Sequence, residues 1–424
     1  MHGNSSVSQQ SKHVLIIGGG IVGACCAYYL QRAGHRVTIV DRQSFGAACS
    51  QGNCGYICPS HVLPLAEPGA VGRTLKAMLK PKSPFTIKPR FDLALWRWLW
   101  GFARRCNRRD MLAGGHALHP ILESSLSLYR QLVAEEQIDC EWEEQGLLFA
   151  YRSAAEFEAY SATNDLLASE FHLPAEKLVG SALTEREPAL RPGLAGGWFY
   201  ADDAHLRPDR LMAGLRQLLV SRGAVIREQC SFEGFVGEGE SRRGARCGGT
   251  EIAADEFVVA TGAWSAQLEQ HLRCRLPIQP GKGYSLTMPR PAVCPRIPMI
   301  FPETRVAVTP FESGYRLGST MEFAGYDSTL NRARLQLLRD GAAPFLREPS
   351  CEPVENEWWG WRPMTYDSLP IIDRAPIARN VWVAAGHSML GLTLGAVTGR
   401  LVTELISGTP PHVPVAPFQV SRFQ

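Results

Sequence analysis

The chain lacks several features that mark specialised classes of protein. Its 424 residues carry 44 Lys and Arg against 41 Asp and Glu, and a formal net charge of +3 excludes a strongly basic nucleic-acid footprint. None of its 12 cysteines forms a CxxC pair or a Cys/His set with zinc-ligand spacing, so we predict no metal site. The polar segment 1–12 contains no cleavable signal, which favours reduced thiols and a cytoplasmic location.

Long uncharged runs are also scarce. The stretch 14–30 (VLIIGGGIVGACCAYYL) is too short and too rich in glycine for a transmembrane span. It reads instead as a buried strand, a glycine turn and the start of a helix. Gly18, Gly20 and Gly23 complete a GxGxxG pattern, and a second strand at 36–40 leads to Asp41. This order predicts a dinucleotide-binding unit, with NAD and FAD as equal candidates at this point.

The residue types of this pattern suit close approach to a pyrophosphate. Gly18 permits a tight turn, Gly20 admits the phosphates without a Cβ in the way, and Gly23 keeps the helix close to the sheet. The helix N-terminus offers free N–H groups and a positive dipole end. We expect the Asp41 carboxylate to accept hydrogen bonds from an adenosine ribose.

The next 60 residues are less regular. Small residues dominate 44–59, which suits either a backbone beside a ligand or a plain surface loop. Residues 60–90 are predicted to be an irregular connection. Residues 91–106 (FDLALWRWLWGFARRC) have helical spacing. A tryptophan-rich helix with a basic end is typical of a membrane surface, but we favour a helix buried between domains with its basic end in solvent.

The rest of the chain alternates helical and strand patterns without an internal repeat. Helices are predicted at 120–136, 154–171, 206–222 and 329–346, a β-meander at 231–256, further strands at 276–320, and a strand followed by a helix at 380–408. Because the two patterns alternate, we expect a substrate region interleaved with the nucleotide region.

Five further segments carry a family resemblance. They are Ser50 with 53–55 (NCG), 259–264 (VATGAW), 280–285 (PGKGYS), 360–373 (GWRPMTYDSLPIID) and 384–406 (AAGHSMLGLTLGAVTGRLVTELI). In this order they resemble the D-amino acid dehydrogenase and glycine oxidase group of FAD enzymes, within the DAO superfamily. The resemblance implies FAD rather than NAD, and an α/β fold in which a Rossmann-like FAD domain is interleaved with an α+β substrate domain built on an antiparallel sheet.

The resemblance also implies domain boundaries and cofactor contacts. It places a discontinuous FAD domain at 12–80, 200–275 and 355–424, and a substrate domain at 81–199 and 276–354. The implied cofactor-binding residues are Gly18, Gly20, Ile21, Val22, Gly23, Asp41, Arg42, Ser50, Asn53, Gly55, Thr261, Gly262, Gly386, Gly391, Leu392 and Thr393. The last four would set a loop and a helix N-terminus beside the flavin, where the helix dipole stabilises the anionic reduced ring.

Three residues are implied to act on the substrate or the flavin. Arg362 matches the arginine that binds the substrate carboxylate in related amine oxidases, since a guanidinium pairs a carboxylate bidentately. The alternative is a surface arginine, although three neighbouring tryptophans favour a packed segment. Tyr284 is a candidate hydrogen-bond donor to the substrate and His387 a candidate flavin contact. Each is equally explained as a packing residue.

The implied reaction is oxidation of a D-amino acid, or of a cyclic D-imino acid such as D-hydroxyproline, by hydride transfer to flavin N5. Electrons would pass to a quinone or another acceptor. The absence of a catalytic triad agrees with this, because hydride transfer depends on orientation more than on a protein base. A glycine or sarcosine oxidase that uses oxygen, and a flavin-bearing subunit of a larger amine dehydrogenase, stay as alternatives.

Two positions depart from the family pattern. Met389 stands where glycine oxidase has an arginine, and Asp373 stands where many relatives have glycine, without an evident physical reason. The sequence leaves the oligomeric state open, together with peripheral contact of helix 91–106 with the inner face of a membrane.

Overall fold

The computed structural model describes residues 11–78 and 83–424. The N-terminal tail up to residue 10 and the predicted boundary between residues 80 and 81 lie outside these ranges. The described strands are β1 (His13–Ile17), β2 (Arg36–Val40), β3 (Tyr56–Ile57), β4 (Phe85–Ile87), β5 (Leu147–Tyr151), β6 (Glu176–Leu178), β7 (Gly196–Tyr200), β8 (Ala204–His205), β9 (Val225–Arg227), β10 (Phe232–Val236), β11 (Gly244–Cys247), β12 (Thr250–Ala253), β13 (Glu256–Val259), β14 (Ile278–Met288), β15 (Met299–Phe301), β16 (Val306–Phe311), β17 (Gly314–Phe323), β18 (Asn356–Thr365), β19 (Ile371–Arg374) and β20 (Val381–Ala385).

Helices connect and cover these strands. The α-helices in the described ranges are α1 (Ile21–Arg32), α2 (Ala70–Met78), α3 (Leu93–Arg105), α4 (Arg108–Glu136), α5 (Ala154–Ala159), α6 (Ser161–Phe171), α7 (Ser181–Arg186), α8 (Pro208–Ser221), α9 (Glu269–Leu272), α10 (Arg332–Ala342) and α11 (Gly395–Ser407). Short 3-10 helices occur at Gly262–Leu268, Ala416–Phe418 and Val420–Phe423.

A six-stranded sheet carries the glycine fingerprint. Its order is β19–β20–β13–β1–β2–β9, and every pairing is parallel except that of the edge strand β19. Helices α1, α4, α8 and α11 share one hydrophobic core on one face of this sheet. Because β1, β2, β13 and β20 run parallel, their carboxyl ends lie at the same edge of the sheet. In open α/β sheets, ligands bind in the crevice at this edge. The predicted Rossmann-like layer is confirmed.

The β-meander predicted at 231–256 is present as β10–β11–β12, and it packs against the other face of this sheet. The C-terminal 3-10 turn closes the same side. Asp373 accepts hydrogen bonds there from the N–H groups of Val420 and Arg374, at 2.9 and 2.8 Å. Anchoring of the C-terminus explains an aspartate that the sequence left without a reason.

A nine-stranded sheet forms the second layer. Its order is β18–β14–β17–β16–β15–β5–β7–β6, with β4 added beside β17. Most pairings are antiparallel, and only β5–β15 and β4–β17 are parallel. Helix α10 packs on one face. The interleaved antiparallel layer of the prediction is present.

Two elements differ from the predicted partition of the chain. Strand β18 pairs with β14 along its whole length, although it falls in the segment assigned to the FAD domain. Helix α4 packs with α1 and α11, although it falls in a substrate segment. Residues 60–78 and 83–90 were also expected to be irregular, but they contain α2 and β4.

Helix α3 exposes part of its tryptophan face. Leu95 and Trp98 are buried, whereas Trp96 and Trp100 keep 59% and 64% of their surface exposed. The prediction that this helix is buried between domains is therefore wrong for the side that carries Trp96 and Trp100. Among the described residues, no helix combines the length and apolar character needed to cross a bilayer.

Candidate active site

Two of the three fingerprint glycines lie where the backbone leaves no room for a side chain. A Cβ on Gly18, whose φ is +113°, would lie 2.4 Å from the carbonyl oxygen of Ala260. A Cβ on Gly23 would lie 1.9 Å from the carbonyl oxygen of Gly18. At Gly20 the nearest atom is Ser50 Oγ, at 3.4 Å. Gly18 and Gly23 therefore set the spacing of strand and helix, and Gly20 borders an open cleft.

Asp41 lies beside this turn at the end of β2. Its Oδ2 accepts a hydrogen bond from the Gly19 N–H and its Oδ1 one from the Gln43 N–H, both at 2.7 Å. Burial raises the pKa of the Asp41 carboxyl, against the effect of these two bonds. Each oxygen keeps a lone pair for a ribose hydroxyl. The neighbouring Arg42 stacks on the Trp264 ring, 4.1 Å from its centroid.

A cleft of about 270 Å³ follows the edge of the six-stranded sheet. The predicted residues that line it are Gly18, Gly20, Ile21, Val22, Asp41, Arg42, Ser50, Asn53, Thr261, Gly262, Arg362, His387, Gly391 and Leu392. Helix α1 begins at the cleft, where the Ile21 N–H donates to Ser50 Oγ at 2.9 Å and Gly20 makes no side-chain cap. A helix N-terminus, glycine backbone and a carboxylate on the second strand fit the pyrophosphate and ribose of a dinucleotide.

Four predicted cofactor residues lie behind the cleft instead of on its surface. Gly23 forms the helix–strand contact described above. A Cβ on Gly55 would lie 2.1 Å from the Leu206 carbonyl oxygen, and one on Gly386 would lie 2.7 Å from a Thr365 methyl carbon. Thr393 donates a hydrogen bond to the Tyr56 carbonyl at 2.9 Å. These residues shape the backbone that carries the lining residues.

A second cavity, of about 680 Å³, adjoins the cleft. Cys49, Asn53, Arg362 and Met389 line both spaces. A ligand in the larger cavity therefore meets a cofactor in the cleft beside Arg362.

The Arg362 guanidinium has most of its donors free. Its only hydrogen bond within the described residues runs from Nη1 to the Thr320 carbonyl oxygen, at 3.0 Å. The side chain is partly buried. A guanidinium that is held in place but not neutralised is suited to a bidentate carboxylate ligand.

A glycine on β14, Gly283, makes room for Arg362. In the register of β14 and β18, Gly281 pairs with Arg362, and Gly283 pairs with Gly360. A Cβ on Gly283 would lie 2.2 Å from Arg362 Nη1, so the guanidinium lies flat over this glycine. Sequence reasoning recognised the PGKGYS motif only by resemblance. The usable signal was the pair of glycines two residues apart on one face of a strand.

Strained backbone on β17 holds the same guanidinium. Ser319 and Thr320 have φ angles of 103° and 48°, and the pairing of β14 with β17 shifts register at this point. Two successive residues with positive φ cost about 1–3 kcal/mol each. The bulge directs the Thr320 carbonyl at Arg362, and sequence patterns did not reveal it.

Tyr284 is not brought to the side of Arg362. Its hydroxyl donates to Glu322 Oε2 at 2.7 Å. Its ring lies beside Lys282, on the opposite face of the sheet from Arg362. Burial and the adjoining Glu322 carboxylate raise the pKa of Tyr284 above its usual range. The structure gives Tyr284 a packing role, although its residue borders the larger cavity.

His387 lines the cleft but is occupied by a neighbour. Its Nε2 lies 2.9 Å from the Thr398 hydroxyl on α11. Burial lowers the pKa of His387 to about 3, so the imidazole is neutral at physiological pH. It can position the loop before α11, and it is not a cationic partner for the flavin.

A further polar cluster lies at the wall of the larger cavity. Cys58, His61 and Asp203 each offer one atom that could ligate a metal ion, and these three atoms lie within 4.8 Å of one another. Ser60 donates to both carboxylate oxygens of Asp203, from its N–H at 3.1 Å and its hydroxyl at 2.5 Å. Burial raises the pKa of Asp203 to about 7 and lowers that of His61 to about 4. Sequence spacing did not indicate this cluster, because Asp203 is remote along the chain.

Comparison with known families now identifies the architecture. The family model described as FAD dependent oxidoreductase (DAO) matches residues 13–405. The chain belongs to this family. FAD is therefore its cofactor, as predicted, and the cleft along β1, β2 and β13 is the place that fits it.

Curated relatives and solved structures extend this likeness over the whole chain. The chain is 32% identical to a D-amino acid dehydrogenase of Paramagnetospirillum magneticum, covering 97% of this chain and 98% of the relative. It is 30% identical to one of Granulibacter bethesdensis, covering 97% and 99%. The fold is similar to that of a glycine oxidase from Geobacillus kaustophilus, with a TM-score of 0.78 at 22% identity, covering 97% of this chain and 99% of that one. It is also similar to that of an L-proline dehydrogenase from P. horikoshii, with a TM-score of 0.73 at 19% identity and 98% of each chain covered.

Proposed function

We propose that the protein is a dehydrogenase that oxidises a D-amino acid at its Cα, with the substrate carboxylate bound to Arg362. The observation that carries this proposal is the Arg362 guanidinium at the junction of cleft and cavity, which has no counter-ion in the part of the chain that the structure describes. The two curated relatives named D-amino acid dehydrogenase support the substrate class.

When bound, FAD supplies N5 as the acceptor of the hydride that leaves Cα of the neutral amine. The protein's own contribution is orientation. The Thr320 carbonyl and the flat surface over Gly283 hold the guanidinium, and the guanidinium holds the carboxylate. The resulting imine takes up water and releases ammonia to leave a keto acid. A cyclic D-imino acid such as D-hydroxyproline would leave a cyclic imine.

A quinone in a membrane is the electron acceptor that we propose. Support comes from the exposed face of α3, where Leu93, Trp96 and Trp100 lie beside Arg97 and Arg104. Apolar rings with a basic rim suit the surface of an anionic bilayer. Helices α2 and α3 also border the larger cavity, which places that surface near the substrate site.

The decisive experiment is anaerobic bleaching of the bound flavin by a panel of substrates. The panel comprises D- and L-amino acids, glycine, sarcosine and both hydroxyproline epimers. Bleaching by D-amino or D-imino acids supports the proposal, and preference for glycine or sarcosine supports the oxidase alternative. No bleaching despite bound FAD would point to a subunit that needs a partner.

Variants of Arg362 test the carboxylate site within the same assay. Arg362→Lys should raise KM and Arg362→Ala should raise it further, because each removes donors from a bidentate pair. Arg332→Ala is the matched control, since that side chain is 82% exposed. Unchanged KM in Arg362→Ala would refute the assignment. Reoxidation with a quinone analogue and with oxygen then identifies the acceptor.

A further inference from the structure

The larger cavity receives the substrate side chain if the carboxylate lies on Arg362. This step rests on the proposed function. The cleft that would hold FAD lies on one side of Arg362, so the side chain of a substrate bound there would extend into the 680 Å³ space on the other. The chemistry of that space then determines which amino acids fit.

Two methionines that neighbour Arg362 along strands β17 and β18 form part of the wall. Met364 lies two residues beyond Arg362 on β18 and shares its face of the strand. Met321 follows the Thr320 carbonyl that holds Arg362. Both sulfur atoms lie 3.5 Å from the position that a Cβ on Gly281 would occupy, so they are neighbours. Methionine is flexible and polarizable, and it packs well against varied apolar groups.

Aromatic rings continue the wall beyond the methionines. Phe323 lies 5.8 Å from Phe85 and 5.2 Å from Trp98, between ring centroids. Trp98 stacks on Phe102 at 5.4 Å. These four rings and the two methionines belong to one hydrophobic cluster, and all six residues line the cavity. We call these six residues the side-chain pocket.

Charged groups are absent from this pocket among the described residues. Besides Arg362, the charged residues that line the cavity are Glu67, Arg73 and Arg305, of which Glu67 and Arg73 pair with each other near α2. The carboxyl of Asp203 is already bonded to Ser60. A charged substrate side chain would therefore enter the side-chain pocket without a counter-ion, which is unfavourable.

We propose that the side-chain pocket selects D-amino acids with large uncharged apolar side chains, such as D-methionine, D-leucine and D-phenylalanine. D-alanine leaves most of the pocket unfilled, and D-aspartate and D-lysine bring an unpaired charge into it. One well-packed methylene in an apolar pocket changes discrimination by about 10-fold or more, and we take the gain of one such group as the minimum for the larger side chains. We expect kcat/KM for D-methionine and D-phenylalanine to exceed that for D-alanine by about 10- to 100-fold.

The test compares the rates of anaerobic flavin reduction across these substrates in the holoenzyme. Met321→Gln keeps the length of the side chain and adds an amide, whereas Met321→Leu keeps the wall apolar and is the matched control. Met321→Gln should lower the ratio of kcat/KM for D-phenylalanine to kcat/KM for D-alanine by about 10-fold, whereas Met321→Leu should leave this ratio within about twofold. The amount of bound FAD, measured from absorbance, shows that each variant is folded.

A binding assay gives a second readout that does not depend on turnover. Perturbation of the flavin spectrum by acetate, benzoate and phenylacetate reports binding of carboxylates that lack an amine. Tighter binding of the aromatic acids supports the pocket, and Met321→Gln should reduce that preference. Equal or greater efficiency with D-alanine, D-aspartate or D-lysine in the wild type would overturn the inference while leaving the proposed function intact. Failure of every D-amino acid would overturn the proposed function itself.

Discussion

Replacing Gly283 with alanine tests how the carboxylate site is built. The new Cβ would lie 2.2, 2.4 and 2.5 Å from Nη1, Cζ and Nη2 of Arg362. Gly283 does not have a positive φ, so alanine fits the strand and the guanidinium moves instead. Because alanine also restricts the unfolded chain, we expect the free energy of unfolding to stay within about 1 kcal/mol of wild type.

Displacement of the guanidinium removes one or both hydrogen bonds to the substrate carboxylate. A bond to a charged group contributes about 1.5–3 kcal/mol, so KM should rise about 10- to 100-fold. The assay is anaerobic flavin reduction as a function of substrate concentration, with FAD content measured from absorbance. Gly281→Ala is the matched control, since its Cβ would meet Met364 Cγ at 2.7 Å and not the guanidinium. It should leave acetate binding unchanged.

A double-mutant cycle separates this explanation from general damage. In an Arg362→Ala background the guanidinium is gone, and Gly283→Ala should change KM by less than about twofold. Additive effects of the two substitutions would refute the reasoning. An unchanged KM in Gly283→Ala alone would do the same.

Other predictions concern the cofactor, a buried carboxyl and helix α3. Gly18→Ala should lose FAD on desalting, whereas Gly34→Ala, whose Cβ would meet nothing within 4 Å, should retain it. Burial raises the pKa of Asp203 from 3.8 to about 7, so the folded state holds a proton that the unfolded chain releases. The free energy of unfolding should therefore fall by on the order of 4 kcal/mol as pH rises from about 4 to about 7. Urea midpoints should show this slope in wild type and lose it in Asp203→Asn. Trp96→Ser combined with Trp100→Ser should abolish flotation with anionic vesicles, and Val179→Ser, at a residue that is 51% exposed, should not.

The sequence alone was sufficient for the nucleotide-binding layer. Its signal is local, because the strand, glycines, helix and acidic residue follow one another between His13 and Asp41. Gly23 meets the Gly18 carbonyl and Asp41 meets the Gly19 N–H within this one segment, so spacing along the chain reports spacing in space. The motifs near the C-terminus resemble those of FAD enzymes and so predicted FAD as the cofactor. The family match confirmed this prediction.

The geometry of the proposed substrate site depends on the pairing of strands that are distant along the chain. Arg362 depends on Gly283 and on the Thr320 carbonyl, which lie on β14 and β17, and only the register of three strands brings them together. The same register turns Tyr284 to the opposite face, although the resemblance implied a hydrogen bond from Tyr284 to the substrate.

Helix α3 shows that the sequence also leaves open which side chains become buried. Trp96, Trp98 and Trp100 have the same side chain, and their order along the helix does not tell which one meets the protein. Trp98 is buried because Phe323 and Met364 happen to face it, and the other two are left in solvent. Sequence patterns determine which residues share a side of a helix or strand, whereas the neighbour on that side is determined only when the sheet assembles.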